Sequence, residues 1–272
     1  MTETENVRHI LSVSGGKDSA ALAVYMRDRA VSMEYVFCDT GKELPETYEY
    51  LNKLEAFLGQ PIVHLNSEFS FDHWLKVYSG FLPSAKMRWC TKSLKIKPFE
   101  KYCGDDEVRS YIGLRADENR EGYISHKPNI VPLYPFREDG IVKADVFRIL
   151  EESGVGIPDY YSWRTRSGCY FCFFQRKAEW VGLKQSHPDL FEKAKAYEKS
   201  ETPTGGRYTW AQGESLDEMT QPQRQKAILS EYDKYLKREA ATAPNRPLIE
   251  LYDTAHSQED DAEEPPCVIC DL

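Results

Sequence analysis

The stretch that most constrains the fold is a glycine turn between an apolar run and a helical pattern near the start of the chain. It reads HILSVSGGKDSAALAVYMRD over residues 9–28. Apolar and small residues alternate loosely over residues 8–14, which is typical of a buried strand. From Ser19 onward the residues are good helix formers, and their apolar positions have helical spacing. Glycines at such a junction let successive backbone N–H groups point at an anion, and the helix N-terminus adds its dipole. We therefore expect a phosphate-binding loop.

The next segments repeat the alternation of strand and helix. Apolar runs at 33–39 and 61–66 predict two more strands, and ELPETYEYLNKLEAFLG between them predicts a helix that starts near Pro45 and ends before Gly59. EVRSYIGLRADE predicts a fourth strand that runs into a polar loop, and KADVFRILEESG predicts a helix closed by Gly154. Strands joined by short connections through helices indicate an α/β fold, with an open parallel sheet flanked by helices on both faces.

Composition and charge limit the location and the partners of the chain. The chain has 41% hydrophobic and 29% charged residues, as in a soluble globular protein. Its apolar runs are shorter than the ~18 residues of a membrane span and its N-terminus lacks a signal-peptide pattern, so we expect a cytoplasmic protein with no membrane partner. The net charge of −9 argues against binding nucleic acid through bulk charge. It leaves room for a local basic strip, formed by Lys86, Arg88, Lys92, Lys95 and Lys97.

Each residue of SGGKDS, residues 14–19, suits a phosphate site. Lys17 supplies a compact positive charge for a phosphate oxygen, and Ser14 and Ser19 add hydroxyl donors. Asp18 either orients the loop or helps to hold a magnesium ion carried by a nucleotide. A plain glycine turn is the simpler interpretation, but the complete SGGKDS at a strand-to-helix junction favours phosphate binding.

Five motifs in order resemble one family over about residues 8–180. SGGKDS resembles the PP-loop of the N-type ATP pyrophosphatases and their relatives, the adenine nucleotide α-hydrolase-like superfamily, and it is not a Walker A loop. FCDTGKELPETYEY, RWCTKSLKIKP, GLRADENREGY and the segment from PLYPF to RSGCYFC resemble successive motifs of the phosphoadenylylsulfate (PAPS) reductase branch. Among ATP-using members with cysteine clusters, the chain is most similar to the DndC and SspD type proteins of DNA phosphorothioate modification.

The resemblance implies an adenine nucleotide α-hydrolase-like fold, with ATP and Mg²⁺ bound near the carboxyl ends of the strands. It implies that Lys17, Asp18 and Arg115 are catalytic. A surface ion pair is the alternative for Arg115, and an ordinary turn aspartate is the alternative for Asp39. The implied nucleotide-binding residues are Ser14, Gly15, Gly16, Lys17, Asp18, Ser19, Asp39, Thr40, Gly41, Arg115 and Glu118.

Helical patterns separated by a loop occupy the later part of the chain. One covers 174–199 with a break at Pro188, and another covers roughly 221–240. After TAPNRP the chain becomes acidic and polar, and we expect residues 253–266 to be disordered. We therefore predict three parts: a PP-loop ATP pyrophosphatase or PAPS reductase-like domain with a cysteine cluster at 1–200, a helical extension at 201–252, and a flexible acidic tail at 253–272.

The cysteines narrow the chemistry. Cys169 and Cys172 form a C-x-x-C pair that can hold one metal centre, and Cys90 lies 79 positions upstream. Iron–sulfur members of the PAPS reductase family complete their cluster from such an upstream site, so the resemblance implies a [4Fe–4S] cluster, with zinc as the alternative. Trp89 stands where the reductases have a second cysteine, which leaves the fourth ligand open between Cys103 and a non-protein ligand.

A second cysteine pair, Cys267 and Cys270, ends the chain in PPCVICDL. It is either a mobile pair of redox-active or sulfur-carrying thiols, a metal clip, or part of an interaction peptide. A chain without an export signal keeps its cysteines reduced, so we do not expect disulfides.

The resemblance allows two reactions. ATP pyrophosphatases transfer AMP to an acceptor oxygen and release pyrophosphate, after which a sulfur donor or an amine displaces AMP. Sulfonucleotide reductases instead attack PAPS, or its unphosphorylated analogue APS, with a thiolate. The complete SGGKDS, and the lack of the reductases' E-C-G-L-H segment, favour the first reaction.

We therefore expect an ATP pyrophosphatase that activates an acceptor, the DNA backbone, for sulfur incorporation. Such an enzyme works with a cysteine desulfurase and other modification proteins, and contacts DNA locally or through those partners. A tRNA-thiolating enzyme uses the same parts on another acceptor. The alternative without catalysis is a nucleotide-binding scaffold subunit stabilised by a metal.

Overall fold

The computed structural model describes residues 7–29, 32–119, 125–199, 207–211 and 213–241. The chain forms two compact units, which divide between Phe174 and Gln175. The three predicted parts, with a boundary at residue 200, stay a prediction. The predicted acidic tail and its cysteine pair lie outside the described residues.

The first unit is built on five parallel strands, which are β1 (Arg8–Ser12), β2 (Met33–Asp39), β3 (Ile62–Asn66), β4 (Val108–Tyr111) and β5 (Ile130–Leu133). Their order in the sheet is β3-β2-β1-β4-β5. At the centre, Leu11 of β1 is paired in parallel with Tyr35 of β2 and with Tyr111 of β4. The predicted α/β fold with an open parallel sheet is confirmed, and β5 is an additional strand that the sequence analysis missed.

The helices of the first unit are α1 (Lys17–Met26), α2 (Pro45–Leu58), α3 (Phe71–Val77), α4 (Trp89–Thr91), α5 (Lys97–Cys103), α6 (Pro135–Glu138) and α7 (Lys143–Glu152). A π-helical turn, Lys92–Ile96, joins α4 to α5, and a 3-10 helix covers Asp159–Ser162. The helices α3 to α5 were not predicted, because short helices carry too few turns to display a clear apolar repeat.

Proline and glycine set the ends of the longer helices. Pro45 opens α2, where its missing N–H removes no hydrogen bond, and Gly59 ends the helix with a φ of 66°. Gly154 follows α7 with a φ of 74°. Both boundaries agree with the prediction.

Alternate residues of the central strands face opposite sides of the sheet. Leu11 and Phe37 pack in one apolar cluster with residues of α1, α2 and α7. Their neighbours Ile10 and Val36 pack in a second cluster with Phe99 of α5. Both faces of the sheet are therefore covered, as expected for parallel strands.

The strand order reverses between β1 and β4, because β2 and β3 lie on one side of β1 while β4 and β5 lie on the other. In open α/β sheets, ligands bind beyond the carboxyl ends of the strands at such a point. The segments after β1, β2 and β4, at 13–16, 40–44 and 112–118, share this edge. The candidate site is built from them.

The second unit contains α8 (Lys177–Ser186), α9 (Pro188–Lys195), α10 (Leu216–Met219) and α11 (Pro222–Ala241). The Trp210 indole donates to the Ala194 carbonyl at 2.9 Å, and the Glu198 carboxylate accepts from the backbone N–H of Trp210 and Leu216. The break at Pro188 and the last helix agree with the prediction. None of the helices in the described part of the chain is long and apolar enough to cross a membrane.

Candidate functional site

The turn after β1 depends on two glycines. Gly15 has a φ of 74°, and a Cβ at this position would lie 2.5 Å from Cγ2 of Thr47. A Cβ on Gly16 would lie 2.7 Å from Oγ of Ser167. Both distances are shorter than real Cβ contacts, so the neighbouring segments approach the loop only because these positions lack a side chain.

The two serines of the loop brace it from inside. Ser19 Oγ accepts a hydrogen bond from the Ser14 backbone N–H at 3.0 Å and donates to the Gly16 carbonyl at 3.2 Å. Ser14 Oγ lies 3.1 Å from Ser19 Oγ and 3.2 Å from Ser167 Oγ. The hydroxyls predicted as ligand donors thus also fix the curve of the loop.

Helix α1 begins directly after the glycines, so its first N–H groups face the loop. Within the residues that the structure describes, no protein group accepts from the N–H of Gly15 or of Gly16. The Lys17 N–H donates to the phenol oxygen of Tyr161 at 3.1 Å. Open N–H groups at the positive end of a helix dipole favour an anion such as phosphate.

Asp18 joins two cations beside the loop. Its Oδ2 lies 2.8 Å from Nζ of Lys17, and its Oδ1 lies 2.6 Å from Nη1 of Arg115. Burial would raise the pKa of Asp18, but Lys17 and Arg115 hold that pKa below its ordinary value. Burial also opposes the charge of Lys17, yet Tyr161 and Asp18 keep its pKa above the ordinary value. The three side chains are therefore charged at neutral pH.

Arg115 reaches the loop from the segment after β4. A Cβ on Gly113 would lie 3.0 Å from the Asp18 carbonyl carbon, so the glycine permits this close approach. Arg115 also contacts Asp117 at 2.9 Å and Glu118 at 3.3 Å. Because both carboxylate oxygens of Asp18 are engaged, the structure favours its orienting role over the alternative role of magnesium ligand.

Asp39, Thr40 and Gly41 form the turn after β2. Asp39 Oδ1 accepts from the Gly41 N–H at 2.7 Å and from the Tyr48 hydroxyl at 2.8 Å. Its Oδ2 lies 3.5 Å from Nδ1 of His64, a long contact that leaves this oxygen weakly engaged. Asp39 therefore suits a magnesium ion carried by a nucleotide better than Asp18 does.

A segment far along the chain contacts the loop, and the sequence analysis missed it. The Tyr160 hydroxyl donates to the Gly15 carbonyl at 2.7 Å, and the ring of Tyr161 lies 5.3 Å from Nζ of Lys17. With Ser167, these residues add three side chains to the phosphate loop. The available signal was a tyrosine pair shortly before RSGCYFC, in a segment already noted for its cysteines.

Cys169 lies beside the turn after β2. Its Sγ is 3.1 Å from Oγ1 of Thr40 and 3.6 Å from Oε1 of Glu43, a buried carboxylate that was also missed. The buried Arg164 holds this segment by donating to the Cys169 carbonyl at 2.9 Å. Burial, together with the Glu43 carboxylate, raises the pKa of the Cys169 thiol well above its ordinary value.

Aromatic rings pack the segment of Cys90 against the C-x-x-C segment. The ring of Phe71 lies 5.0 Å from that of Trp89, which precedes Cys90. On its other side, Phe71 lies 4.4 Å from Phe171, which stands between the two cysteines of the pair. The structure therefore brings the two segments that carry three of the four predicted metal ligands into one region.

Cys103, predicted as a fourth ligand, lies in a different place. It is fully buried in the apolar cluster with Ile10 and Phe99, and burial raises the pKa of its thiol to about 12. That cluster contains neither Cys90 nor the cysteines of the C-x-x-C pair. In the part of the chain that the structure describes, no three His, Cys, Asp or Glu side chains are arranged to hold a metal ion. The role of Cys103 as a fourth metal ligand stays a prediction, and its place in this apolar cluster argues against it.

The geometry defines an α/β protein with a PP-loop at the carboxyl edge of its sheet. A family model of the phosphoadenosine phosphosulfate reductase domain matches residues 8–130. The chain belongs to this PAPS reductase-like family of PP-loop proteins, as the motifs predicted. The finer likeness to the DndC and SspD type proteins stays a prediction.

Relatives of the chain include phage, archaeal and bacterial proteins. An uncharacterised nin region protein of Escherichia phage lambda is 31% identical, over 64% of this chain and 68% of the phage protein. An uncharacterised protein of Methanocaldococcus jannaschii is 27% identical over 68% of this chain. A tRNA-specific 2-thiouridylase of Pediococcus pentosaceus is 25% identical, over 58% of this chain and 51% of the thiouridylase.

The chain aligns with only part of the length of some relatives. The chain spans 40% of the Methanocaldococcus jannaschii protein, which is less than half of its length. Among solved structures, the PAPS reductase of Candida auris in its phosphate complex is 14% identical, with a TM-score of 0.49 over 61% of this chain and 82% of the reductase.

Proposed function

We propose that the protein is an ATP pyrophosphatase that converts ATP to AMP and pyrophosphate and thereby activates an acceptor for sulfur incorporation. The observation that carries the proposal is the charged group of Lys17, Asp18 and Arg115 beside the open N–H groups of Gly15 and Gly16. This arrangement offers two cations and a helix dipole to a polyphosphate.

The reaction has two steps. An acceptor oxygen attacks the α-phosphorus of ATP, the bond from that phosphorus to the bridging oxygen breaks, and pyrophosphate leaves with the electron pair. Hydrosulfide, released from a donor persulfide by a thiol reductant, then attacks the activated atom of the acceptor and forms the new bond to sulfur. AMP leaves with the original acceptor oxygen, so sulfur replaces oxygen without any net oxidation of the acceptor.

The loop stabilises the charge that develops on the departing pyrophosphate. The N–H groups of Gly15 and Gly16 and the ammonium of Lys17 are fixed before the reaction, so they need no reorganisation during it. Asp18 holds Lys17 and Arg115 in position. Asp39 is the residue that would hold a magnesium ion brought by the nucleotide, and that ion would add positive charge beside the phosphates.

The acceptor that we propose is the DNA backbone, with a tRNA base as the alternative. The motif likeness to DNA phosphorothioate proteins supports the first, and the match to a tRNA-specific 2-thiouridylase supports the second. In both cases a cysteine desulfurase and other modification proteins supply the sulfur, and both acceptors are polynucleotides.

The first test is incubation of the protein with α-labelled ATP and Mg²⁺, with and without DNA, tRNA and sulfide. We expect AMP and pyrophosphate from the wild type. Lys17→Met removes a cation from the phosphate site, so we expect AMP formation to fall by on the order of 10²-fold or more. The matched control is Lys143→Met, which removes an exposed lysine from α7 and should change nothing. ATP binding without AMP formation would favour the nucleotide-binding scaffold.

Sulfonucleotide reduction is the second candidate, because the matching family model is that of PAPS reductase. That reaction needs a nucleophilic thiolate, whereas burial and Glu43 keep the thiol of Cys169 protonated. Sulfite formation from PAPS and a thiol reductant, with ATP left intact, would establish the reductase and exclude the pyrophosphatase.

No step of this chemistry is assigned to a metal cluster. An iron–sulfur cluster on Cys90, Cys169 and Cys172, with zinc as the alternative, stays a proposal supported by the packing of their segments through Phe71. Anaerobic purification followed by iron and zinc analysis tests it, and a metal-free protein would exclude it.

A further inference from the structure

We propose that an exposed aromatic and lysine surface beside the candidate site binds single-stranded DNA. This stacking surface consists of Phe69, His73, Trp74 and Lys97. The inference deepens the proposed function, on which it rests, because it names the surface that holds the polynucleotide acceptor.

The aromatic rings of the stacking surface form one group. The rings of Phe69 and His73 are stacked, with centroids 4.2 Å apart and planes 16° from parallel. Trp74 meets Phe69 edge-on at 6.2 Å. Phe69 is 41% exposed and His73 is exposed as well, so a flat aromatic face is open to solvent. Unpaired bases stack on such faces, whereas the bases of a duplex are already stacked.

Three lysines lie on the elements that carry or contact these rings, although Glu68 precedes Phe69 and the whole chain is acidic. Nζ of Lys97 lies 5.2 Å from the centroid of the Trp74 ring. Lys76 and Lys92 are exposed, and among the described residues neither has a carboxylate partner. Asp72, the acidic residue of α3, is paired with Lys42 at 2.7 Å. Lysines without acidic partners next to aromatic rings suit a phosphate backbone with stacked bases.

The stacking surface is fixed to the candidate site by α3. The ring of Phe71, at the start of that helix, contacts Phe171 of the C-x-x-C segment at 4.4 Å. The side chain of Lys42 pairs with Asp72. The backbone carbonyl of Lys42 accepts a hydrogen bond from the backbone N–H of Tyr170. The surface therefore sits on the elements that carry the turn after β2, where Asp39 and Cys169 lie.

Charge also decides between possible occupants. A second copy of this chain carries a net charge of −9 as well, so the two copies repel each other. An apolar protein surface would bury Lys97 and Lys76 without a counter-charge, which is costly. A polynucleotide supplies both an aromatic base and a counter-charge, so single-stranded DNA is the occupant that we propose.

The test is fluorescence anisotropy with the full chain and a labelled single-stranded oligothymidylate of about 20 nucleotides, over a range of salt concentrations. We expect Phe69→Ala to weaken binding about tenfold, because one base loses its stacking partner. Lys97→Ala should weaken binding and lower the slope of log affinity against log salt by about one, because one phosphate contact is lost. The matched controls, Phe147→Ala and Lys143→Ala on α7, should bind like the wild type.

The outcomes separate this inference from the proposed function. Lys17→Met should lose AMP formation and keep the Phe69-dependent DNA binding. Binding that depends on Phe69 in a protein that forms no AMP would refute the proposed function alone. AMP formation together with equal DNA affinity of the Phe69→Ala, Lys97→Ala and control proteins would refute the stacking surface. Tighter binding of duplex DNA, or of single-stranded RNA of the same sequence, would also overturn it.

Discussion

At the scale of single residues, Asp18 has the most demanding position in the molecule. Its two carboxylate oxygens bind the cations of Lys17 and Arg115, and its side chain is 20% exposed. Two cations brought this close without an anion would repel each other in a poorly solvated site. Asp18 therefore acts on the phosphate site through its neighbours, as a positioning residue.

We expect Asp18→Asn to destabilise the protein by about 2–3 kcal/mol. The value lies below the 3–5 kcal/mol typical of a broken buried pair, because water partly screens this one. Asparagine keeps the shape but loses the charge, so Lys17 and Arg115 should separate and AMP formation should fall together with stability. Urea unfolding and the ATP assay measure both effects.

The matched control is Asp117→Asn, which removes the more exposed carboxylate that contacts Arg115 at Nε. An exposed ion pair contributes on the order of 0–1 kcal/mol, so this variant should stay close to the wild type. Equal losses in the two variants would contradict the positioning role of Asp18.

At the scale of elements, the turn from β1 to α1 is held by contacts from distant segments. Thr47 of α2 packs on Gly15, and Tyr160 of the 3-10 helix binds the Gly15 carbonyl. The loop is therefore fixed by tertiary contacts as well as by its own serines. This rigidity is what a preorganised phosphate site requires.

Replacing Gly15 by alanine should damage this turn severely. The positive φ costs about 1–2 kcal/mol for a residue with a Cβ, and the clash with Thr47 adds about 1–3 kcal/mol. We expect lower unfolding free energy and loss of ATP binding, measured by denaturation and by nucleotide titration.

Gly59→Ala provides the comparison. Gly59 has nearly the same positive φ, 66°, but a Cβ there would meet nothing within 4 Å. This variant should show the conformational cost alone and keep ATP binding. If Gly15→Ala binds ATP as tightly as Gly59→Ala, the close packing of the loop is not needed for the phosphate site.

At the scale of the whole molecule, the part of the site that follows directly from strand ends was predictable. The carboxyl ends of parallel strands meet at one edge, so SGGKDS, Asp39 and Arg115 were expected to come together, and the structure brings them there. The tyrosines at 160 and 161 were not predictable in this way. They belong to an irregular segment, whose path depends on packing that no local pattern encodes.

The buried position of Cys103 was not foreseen, for a related reason. Counting cysteines gives no information about which side of a helix each one occupies. Phe99 and Cys103 are four positions apart on α5, and both are buried in the same apolar cluster. That spacing was visible in the sequence and indicated a core position, so the helical period was a better guide than the number of thiols.

The titrating groups together predict a broad plateau of stability against pH. The hydrogen bond from Arg8 outweighs burial and holds the pKa of Glu34 below its ordinary value of 4.5. Lys17 and Arg115 together outweigh burial and hold the pKa of Asp18 below its ordinary value of 3.8. Lowered values mean that the folded state binds fewer protons, so this stabilisation is present above pH 4.5 and is lost as the pH falls below these values. We therefore expect an acid limb below about pH 4.5.

At alkaline pH, stability changes with pH in the opposite direction. Burial raises the pKa of the Cys103 thiol from 9.0 to about 12, and that of Cys38 to about 11, so the unfolded chain loses these protons first. Stability should thus fall as the pH rises above about 9, with a slope of up to ~1.4 kcal/mol per pH unit for each thiol. Urea unfolding from pH 3 to 11 measures both limbs. Cys103→Ala should make the loss of stability at high pH shallower and leave the loss at low pH unchanged. Asp18→Asn should make the loss at low pH shallower and leave the loss at high pH unchanged. A variant that changed both losses equally would contradict this assignment.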